Sequence, residues 1–484
     1  MNHQTFTWDR SGNKIRKTER WLEGLWILVL LLAALLLLLI NLDSLPLTDA
    51  GGKTVAQIAE QIPRTSVKFS QWLDPAGGIT TNPVQSPLPH WLITAAYQIG
   101  GNSLWMARLP GALLTAFSVP LLYGIGREIF PSRQTAIFSS LIYLTLLPVI
   151  HHGRLALTDG IVLCLIVLMI WCVLRSRRDL RWSFAVGIGL GLICLTKGLF
   201  LGLLLLTVAL LFLGWDTPRL LTSVYWWNGL LLGIAPTTAW YAVRLLELGL
   251  LPKDIFSLLQ GLLWASVETN LINFPWYNLI LREIFAVPWI LFWPYGLYLA
   301  WNNYNWSWAK LVLVWTGLYL GAVALYLGLI AVIFKELPGD FGDFLPIYPA
   351  LALAEGALLT EVWNWPRNKN FPRFWSIGLS LMAIAASILS VHFSRLDLVN
   401  WSLALFFASV ALTMTIAAIL IVRRDLQFIV VLFWGSYFSL LLFVTSPYWI
   451  GCQPKGGHFS CDQALEVKSE VLGYQRANKV VSDP

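Results

Sequence analysis

Apolar stretches recur along nearly the whole chain, and at roughly 18 to 22 residues each is long enough, as a helix, to cross a hydrocarbon core of about 30 Å. Thirteen such spans can be placed: Leu22–Leu42, Trp105–Gly126, Gln134–Ile150, Thr158–Leu174, Trp182–Thr196, Leu199–Gly214, Val224–Leu246, Leu279–Trp301, Ala309–Phe334, Phe344–Trp363, Phe374–His392, Val399–Val422 and Gln427–Thr445. A chain in lipid has no water to satisfy its N–H and C=O groups, so repeated spans of this kind specify helices that close every main-chain hydrogen bond within themselves. The expected architecture is an all-α polytopic membrane protein.

Composition points the same way. Of 484 residues, 57% are hydrophobic and 12% charged, with a mean hydropathy of +0.66, whereas a soluble coat usually needs about a quarter charged residues. Aromatics reach 14%, with 26 Trp, which suits a protein with two headgroup interfaces to anchor. The net charge of +7 would mark a nucleic-acid surface if it were gathered on one soluble face. Here the basic residues lie in short runs between spans, so no nucleic-acid partner is expected.

Those runs orient the chain, because Lys and Arg in short loops stay cytoplasmic. Arg10, Lys14, Arg16, Lys17 and Arg20 precede the first span, placing the N-terminus inside and, with an odd number of spans, the C-terminus outside. Alternation then keeps Arg175, Arg177, Arg178 and Arg181 inside, with Arg367, Lys369 and Arg373 and with Arg423 and Arg424. The chain divides into a cytoplasmic basic arm (1–21), a transmembrane domain (22–446) with a long first outer loop (43–104), and a short non-cytoplasmic tail (447–484). The arm lacks the small-residue cleavage site of a signal peptide, so the first span reads as a retained anchor. Cys164, Cys172 and Cys194 fall inside spans and read as buried apolar residues. Cys452 and Cys461 fall in the outer tail, where an oxidising compartment makes them a candidate disulfide.

Loops as long as the first outer one usually carry function. Within it, Lys53–Gln61 and Leu88–Gln98 read as short helices lying in the interface. A second outer segment, Gly249–Asn278, contains Phe274, Pro275, Trp276 and Tyr277, and a third runs from Lys335 to Asp343. Ionisable residues gather at these outer span ends: Asp49, Arg154, Asp159, Lys197 and Lys335. Such groups are costly near membrane depth and point to function by default. A mixture of carboxylates and cations at one bilayer edge suits transfer of a group from a phosphorylated lipid. The departing phosphate needs a cation for its developing charge, and the incoming nucleophile needs a carboxylate to orient it or take its proton.

Several motifs occur in a familiar order. They are Leu47-Thr48-Asp49 leading into Val55-Ala56-Gln57-Ile58-Ala59, then Gln85-Ser86-Pro87-Leu88-Pro89-His90-Trp91-Leu92, then Ala107 to Pro110. Gly153 to Asp159 follows, with Leu195-Thr196-Lys197-Gly198 and Leu345-Pro346-Ile347-Tyr348-Pro349-Ala350-Leu351. The series resembles the bacterial GT-C glycosyltransferases that use polyprenyl-phosphate sugars, the group containing the lipid A aminoarabinose transferases and relatives of protein O-mannosyltransferases. The resemblance implies a membrane transferase that moves a sugar from a polyprenyl-phosphate donor to an acceptor glycan, lipid or protein at the non-cytoplasmic face. It also implies roles: Asp49 and Asp159 as catalytic carboxylates, Arg154, Lys197, Lys335 and Arg108 as ligands of the donor phosphate, and His90, Trp91, Trp276 and Tyr277 as substrate contacts. The chain departs from the pattern at Ala50-Gly51-Gly52, where a second acidic residue is usual, and at Gln85, where Lys is usual. The Glu and His that hold a divalent metal in some relatives have no counterpart. His90, His151 and His152 would be the remaining metal set, but imidazoles at an interface read more simply as hydrogen-bonded groups, so neither metal nor other cofactor is expected.

Plainer readings stand beside these. Asp49 and Asp159 could cap the helices they precede, Arg154 and Lys197 could snorkel to the interface, and Lys335 ends a long apolar span. Two other functions stay open: a transporter of lipid-linked glycan, and a catalytically inactive subunit that binds lipid-linked sugar.

Overall fold

The computed structural model describes residues 13–43, 50–61, 87–156, 158–247, 286–334, 345–366, 371–396 and 401–446, with two short stretches of the tail, 454–455 and 458–459. Its helices are α1 (Asn13–Leu39), α2 (Ala50–Gln61), α3 (Leu88–Gly100), α4 (Leu104–Ile129), α5 (Arg133–Leu144), α6 (Leu147–Arg154), α7 (Asp159–Ser176) and α8 (Trp182–Lys197). They continue as α9 (Leu199–Asp216), α10 (Val224–Glu247), α11 (Trp293–Asn302), α12 (Ser307–Phe334), α13 (Tyr348–Trp363), α14 (Arg373–Leu396), α15 (Trp401–Val422) and α16 (Gln427–Thr445). In the tail, Pro454–Lys455 pairs antiparallel with His458–Phe459.

The protein is an integral membrane protein. Nine of the described helices are long and apolar enough to cross a bilayer, ten if one bent pair counts as a single span, against the thirteen expected. Four expected spans account for the difference. Gln134–Ile150 is the bent pair, α5 and α6, turned by 57°, because Pro148 has no N–H to offer Leu144 and its ring crowds that carbonyl. At 16 residues, α8 rises only about 24 Å. Although long enough, α10 is diluted by Trp, Asn, Thr and Pro residues. Of the expected span Leu279–Trp301, the described part from residue 286 onward holds a 3-10 turn, Trp289–Leu291, followed by the ten-residue α11, with Pro288 and Pro294 at the two starts.

Burial orders the bundle. Almost every residue of α7 and α13 is buried, whereas α1 and α14 turn most of their surface outward. α4 packs on α7, α1 and α5, α13 packs on α5 and α11, and α8 lies between α7, α9 and α10. The α8–α10 crossing is close because glycines face it: a Cβ on Gly187 would lie 2.2 Å from the Leu230 carbonyl oxygen, and one on Gly233 2.3 Å from that of Phe184.

At the end of the bundle where α1 starts and α4 finishes, carboxylates clamp helix ends together. Glu23 accepts from Tyr123, from Arg127 at 3.0 Å and from Arg133 at 3.0 Å. Glu128 holds Arg175 and Arg178 at 2.9 Å each, and Asp216 holds Arg177 at 2.6 Å and Lys310 at 3.3 Å. The opposite end carries the candidate site.

Candidate active site at the ends of the buried helices

The last carbonyls of any helix lack intrahelical partners, and at the end of α1 and in the turn that follows it two arginines supply donors. Arg154, the final residue of α6, donates through Nη1 to the carbonyls of Leu37 (2.7 Å) and Leu38 (3.1 Å), and through Nη2 to those of Ile40 (2.7 Å) and Asn41 (3.1 Å). Arg108, in the first turns of α4, donates to Leu42 O at 2.7 Å. Both guanidiniums are fully buried. Their positive charge also faces the negative end of the α1 dipole. Asn41 closes the helix in the left-handed region at φ 54°, a conformation Asn tolerates better than most residues, and its amide reaches Val444 O and Thr445 O at the end of α16. The exit of the first span is therefore gripped from three other helices.

Asp159 opens α7 and is 6% exposed. Its Oδ1 lies 2.6 Å from Nζ of Lys197, and its Oδ2 lies 2.8 Å from Nδ1 of His152. No side chain hydrogen-bonds as a cap at the start of α7, where Asp159, in the first turn, also faces the positive end of the helix dipole. Lys197 is the last residue of α8. Gly198 follows at φ 88°, a region open to Gly and strained for other residues, and this lets α9 start at once in a new direction. The ammonium is thus held at the break between two apolar helices, with its side chain still 27% exposed.

Two small apolar clusters bring the interfacial helices here. Cys194 and Leu195 of α8 and Trp240 and Tyr241 of α10 pack with Leu88, Trp91 and Leu199, and the Tyr241 hydroxyl donates to Cys194 O at 2.9 Å. Trp91 therefore sits against the hinge that carries Lys197, and His90 beside it is buried. In the second cluster Val55, Ala56 and Ala59 of α2 meet Ile93 and Tyr97 of α3, Ala107 of α4 and Ala156. Thr94 Oγ1 donates to Ala59 O at 3.2 Å. α2 begins at Ala50, directly after Asp49, so the helix following that residue docks close in sequence to Asp159.

Of the residues expected to form the site, His90, Trp91, Arg108, Arg154, Asp159 and Lys197 belong to this end of the bundle. Asp49, Lys335, Trp276, Tyr277, Cys452 and Cys461 lie outside the described residues. The arrangement adds His152, which the sequence suggested only as one of three imidazoles. Among the described residues, no group of three or more His, Cys, Asp or Glu side chains is placed to hold a metal. A bridged carboxylate beside a part-exposed ammonium can receive an anion at the ammonium, and apolar walls from α3, α8 and α10 can pass a lipid tail.

A crystal structure of ArnT from Cupriavidus metallidurans bound to undecaprenyl phosphate superimposes with a TM-score of 0.64 at 19% identity, covering 88% of this chain and 78% of that one. The chain has the GT-C fold. The apo structure of the same enzyme agrees, with a TM-score of 0.63 over 88% of this chain and 77% of that one. Residues 84–242 match the family model described as dolichyl-phosphate-mannose-protein mannosyltransferase, a stretch that contains His152, Asp159 and Lys197. An undecaprenyl phosphate-alpha-4-amino-4-deoxy-L-arabinose arabinosyl transferase of Pseudomonas fluorescens is 28% identical over 229 residues, 44% of this chain. The match spans 40% of that relative's length.

Proposed function

We propose that this GT-C chain is a glycosyltransferase that moves a sugar from a polyprenyl-phosphate-linked donor to a glycan, lipid or protein acceptor. It works at the non-cytoplasmic face of the bacterial inner membrane, with the N-terminus in the cytoplasm and the C-terminus outside. What carries the reading is the Lys197–Asp159 pair, a cation held at the edge of an apolar bundle. Support also comes from the likeness to a structure that binds undecaprenyl phosphate and from the basic loops that gather at the other end of the bundle.

In this mechanism Asp49 orients the acceptor and takes its proton. The acceptor's lone pair attacks the anomeric carbon, the bond from that carbon to the phosphate oxygen breaks, and the electron pair leaves with the lipid phosphate. Attack opposite the phosphate inverts the anomeric centre. Lys197 neutralises the departing charge, where a fixed donor acts without reorganising, and Lys335 is the second cation proposed for that phosphate. Asp159 has both oxygens engaged, Oδ1 by Lys197 and Thr158 and Oδ2 by His152, so its role here is to hold Lys197. Trp91, His90, Trp276 and Tyr277 are proposed to line the path of donor and acceptor. Arg154 and Arg108 act one step back, by fixing the end of α1 from which the chain runs to Asp49.

The test pairs two variants. Asp49→Asn keeps shape and hydrogen bonding but removes the base, so turnover of a polyprenyl-phosphate sugar should fall about 10²-fold to 10⁴-fold while undecaprenyl phosphate still binds. Lys197→Ala should weaken binding as well as turnover. A folded Asp49→Asn protein with wild-type turnover would remove Asp49 from the mechanism. Lipid binding without any turnover by the unaltered protein would favour the inactive binding subunit instead.

A further inference from the structure

We propose that His152 is a positioning residue of this site: through Asp159 it sets where the Lys197 ammonium stands. The inference deepens the reading of Lys197 as the cation for a lipid phosphate and rests on it. His152 lies in the last turn of α6, two residues before Arg154, which pins that turn to the carbonyls of Leu37 and Leu38 at the end of α1 and of Ile40 and Asn41 just beyond it. The backbone beneath the imidazole is thereby fixed. The ring of His151 stands edge-on at 5.4 Å between centroids and 79° between planes, and flanks the His152 ring. With its proton on Nδ1, His152 donates to Oδ2 of Asp159 at 2.8 Å. That bond holds Oδ2 of a carboxylate whose other oxygen accepts from Lys197 at 2.6 Å and, more weakly, from the Thr158 hydroxyl at 3.4 Å.

The physical need is plain. A lysine ammonium rides on a flexible four-carbon stem carrying about 2 kcal/mol of rotamer entropy, and a phosphate that departs at one point requires its counter-charge at that point. A carboxylate tethered at one oxygen is a stiffer anchor for the ammonium than one free to turn. The order of support runs from the α1 carbonyls to Arg154, to the α6 turn and His152, to Asp159 and finally to Lys197.

The experiment measures undecaprenyl phosphate affinity of the full chain in lipid nanodiscs by quenching of its tryptophan fluorescence. His152→Ala should weaken binding about tenfold, as expected when one hydrogen bond to a charged group is lost. The Asn amide nitrogen falls where Nδ1 stands and the Gln nitrogen where Nε2 stands, so His152→Asn should bind within about threefold of the unaltered chain and His152→Gln should resemble the alanine variant. In a Lys197→Ala background, His152→Ala should change nothing further, because the two act as one unit. Wild-type affinity in His152→Ala, or an equal loss with and without Lys197, overturns the proposal while leaving the role of Lys197 intact. Unchanged affinity in Lys197→Ala overturns the underlying reading instead. Should His152→Ala fail to fold, the Asn and Gln variants decide, and equal affinity in those two overturns the proposal.

Discussion

Arg154 shows how a charge beside a span end can have partners that composition does not reveal. Its charge beside a span end suggests a phosphate ligand, and in the structure its guanidinium is spread over four carbonyls, those of Leu37 and Leu38 at the end of α1 and of Ile40 and Asn41 in the turn that follows. Only a planar fork with several donors can serve them together, and a lysine cannot copy that geometry. Arg154→Lys should therefore lower thermal stability clearly, and Arg154→Met should lower it further, on the order of 3 kcal/mol, because buried acceptors are left without donors. Unfolding in detergent followed by circular dichroism measures both. Unchanged stability in Arg154→Lys with weakened lipid binding would return Arg154 to the phosphate. The partners were hidden from sequence reading because backbone carbonyls carry no signature, and these lie more than 110 positions away. Asp159 and Lys197 were more legible, since an ionisable side chain beside an apolar run stands out whatever it touches.

At the scale of elements, helix existence was readable and helix integrity was not. Apolar length announced α1, α4, α7, α9 and α12 to α16, whereas the break between α5 and α6 depended on a proline whose effect length alone does not weigh. Glycines divide in the same way. Gly233 faces the backbone of α8, where an added Cβ would lie 2.3 Å from Phe184 O and 2.7 Å from Ile188 N. Neither atom can swing aside. Gly317 in α12 has nothing within 4 Å of that position. Gly233→Ala should destabilise by about 1 to 3 kcal/mol through overpacking, and Gly317→Ala should be neutral or stabilise by up to about 1 kcal/mol through helix propensity. Because α8 ends at Lys197, the Gly233 variant should also weaken undecaprenyl phosphate binding, and the Gly317 variant should not. Equal melting temperatures for the two would show that the α8–α10 crossing is looser than its geometry.

The whole molecule separates two kinds of polar work. One end of the bundle satisfies its carboxylates with pairs of cations at Glu23, Glu128 and Asp216, tying α1, α4, α5, α7, α9 and α12 together. At the other end, among the described residues, the Lys197 ammonium stands part-exposed beside short helices. If the clamped end is cytoplasmic, a membrane-impermeant thiol reagent applied from outside should label single cysteines at Gly77 and Gly457 but not at Asn13 or Asn368, in a background lacking the native cysteines. Labelling at Asn368 from outside would invert that loop and break the proposed orientation.

Sequence alone determined that this chain lies in a membrane, that it is helical, and which span ends carry its charges, because each of these follows from local composition over some twenty residues. Family order among the motifs added the fold. Tertiary structure decided which charges meet: Lys197 with Asp159, His152 as their third member, Arg154 and Arg108 on the end of α1. Those pairings depend on where helices cross, and crossing is set by backbone approach at positions such as Gly187 and Gly233 and by hydrogen bonds to main-chain atoms. Neither quantity is written in the identity of any single residue.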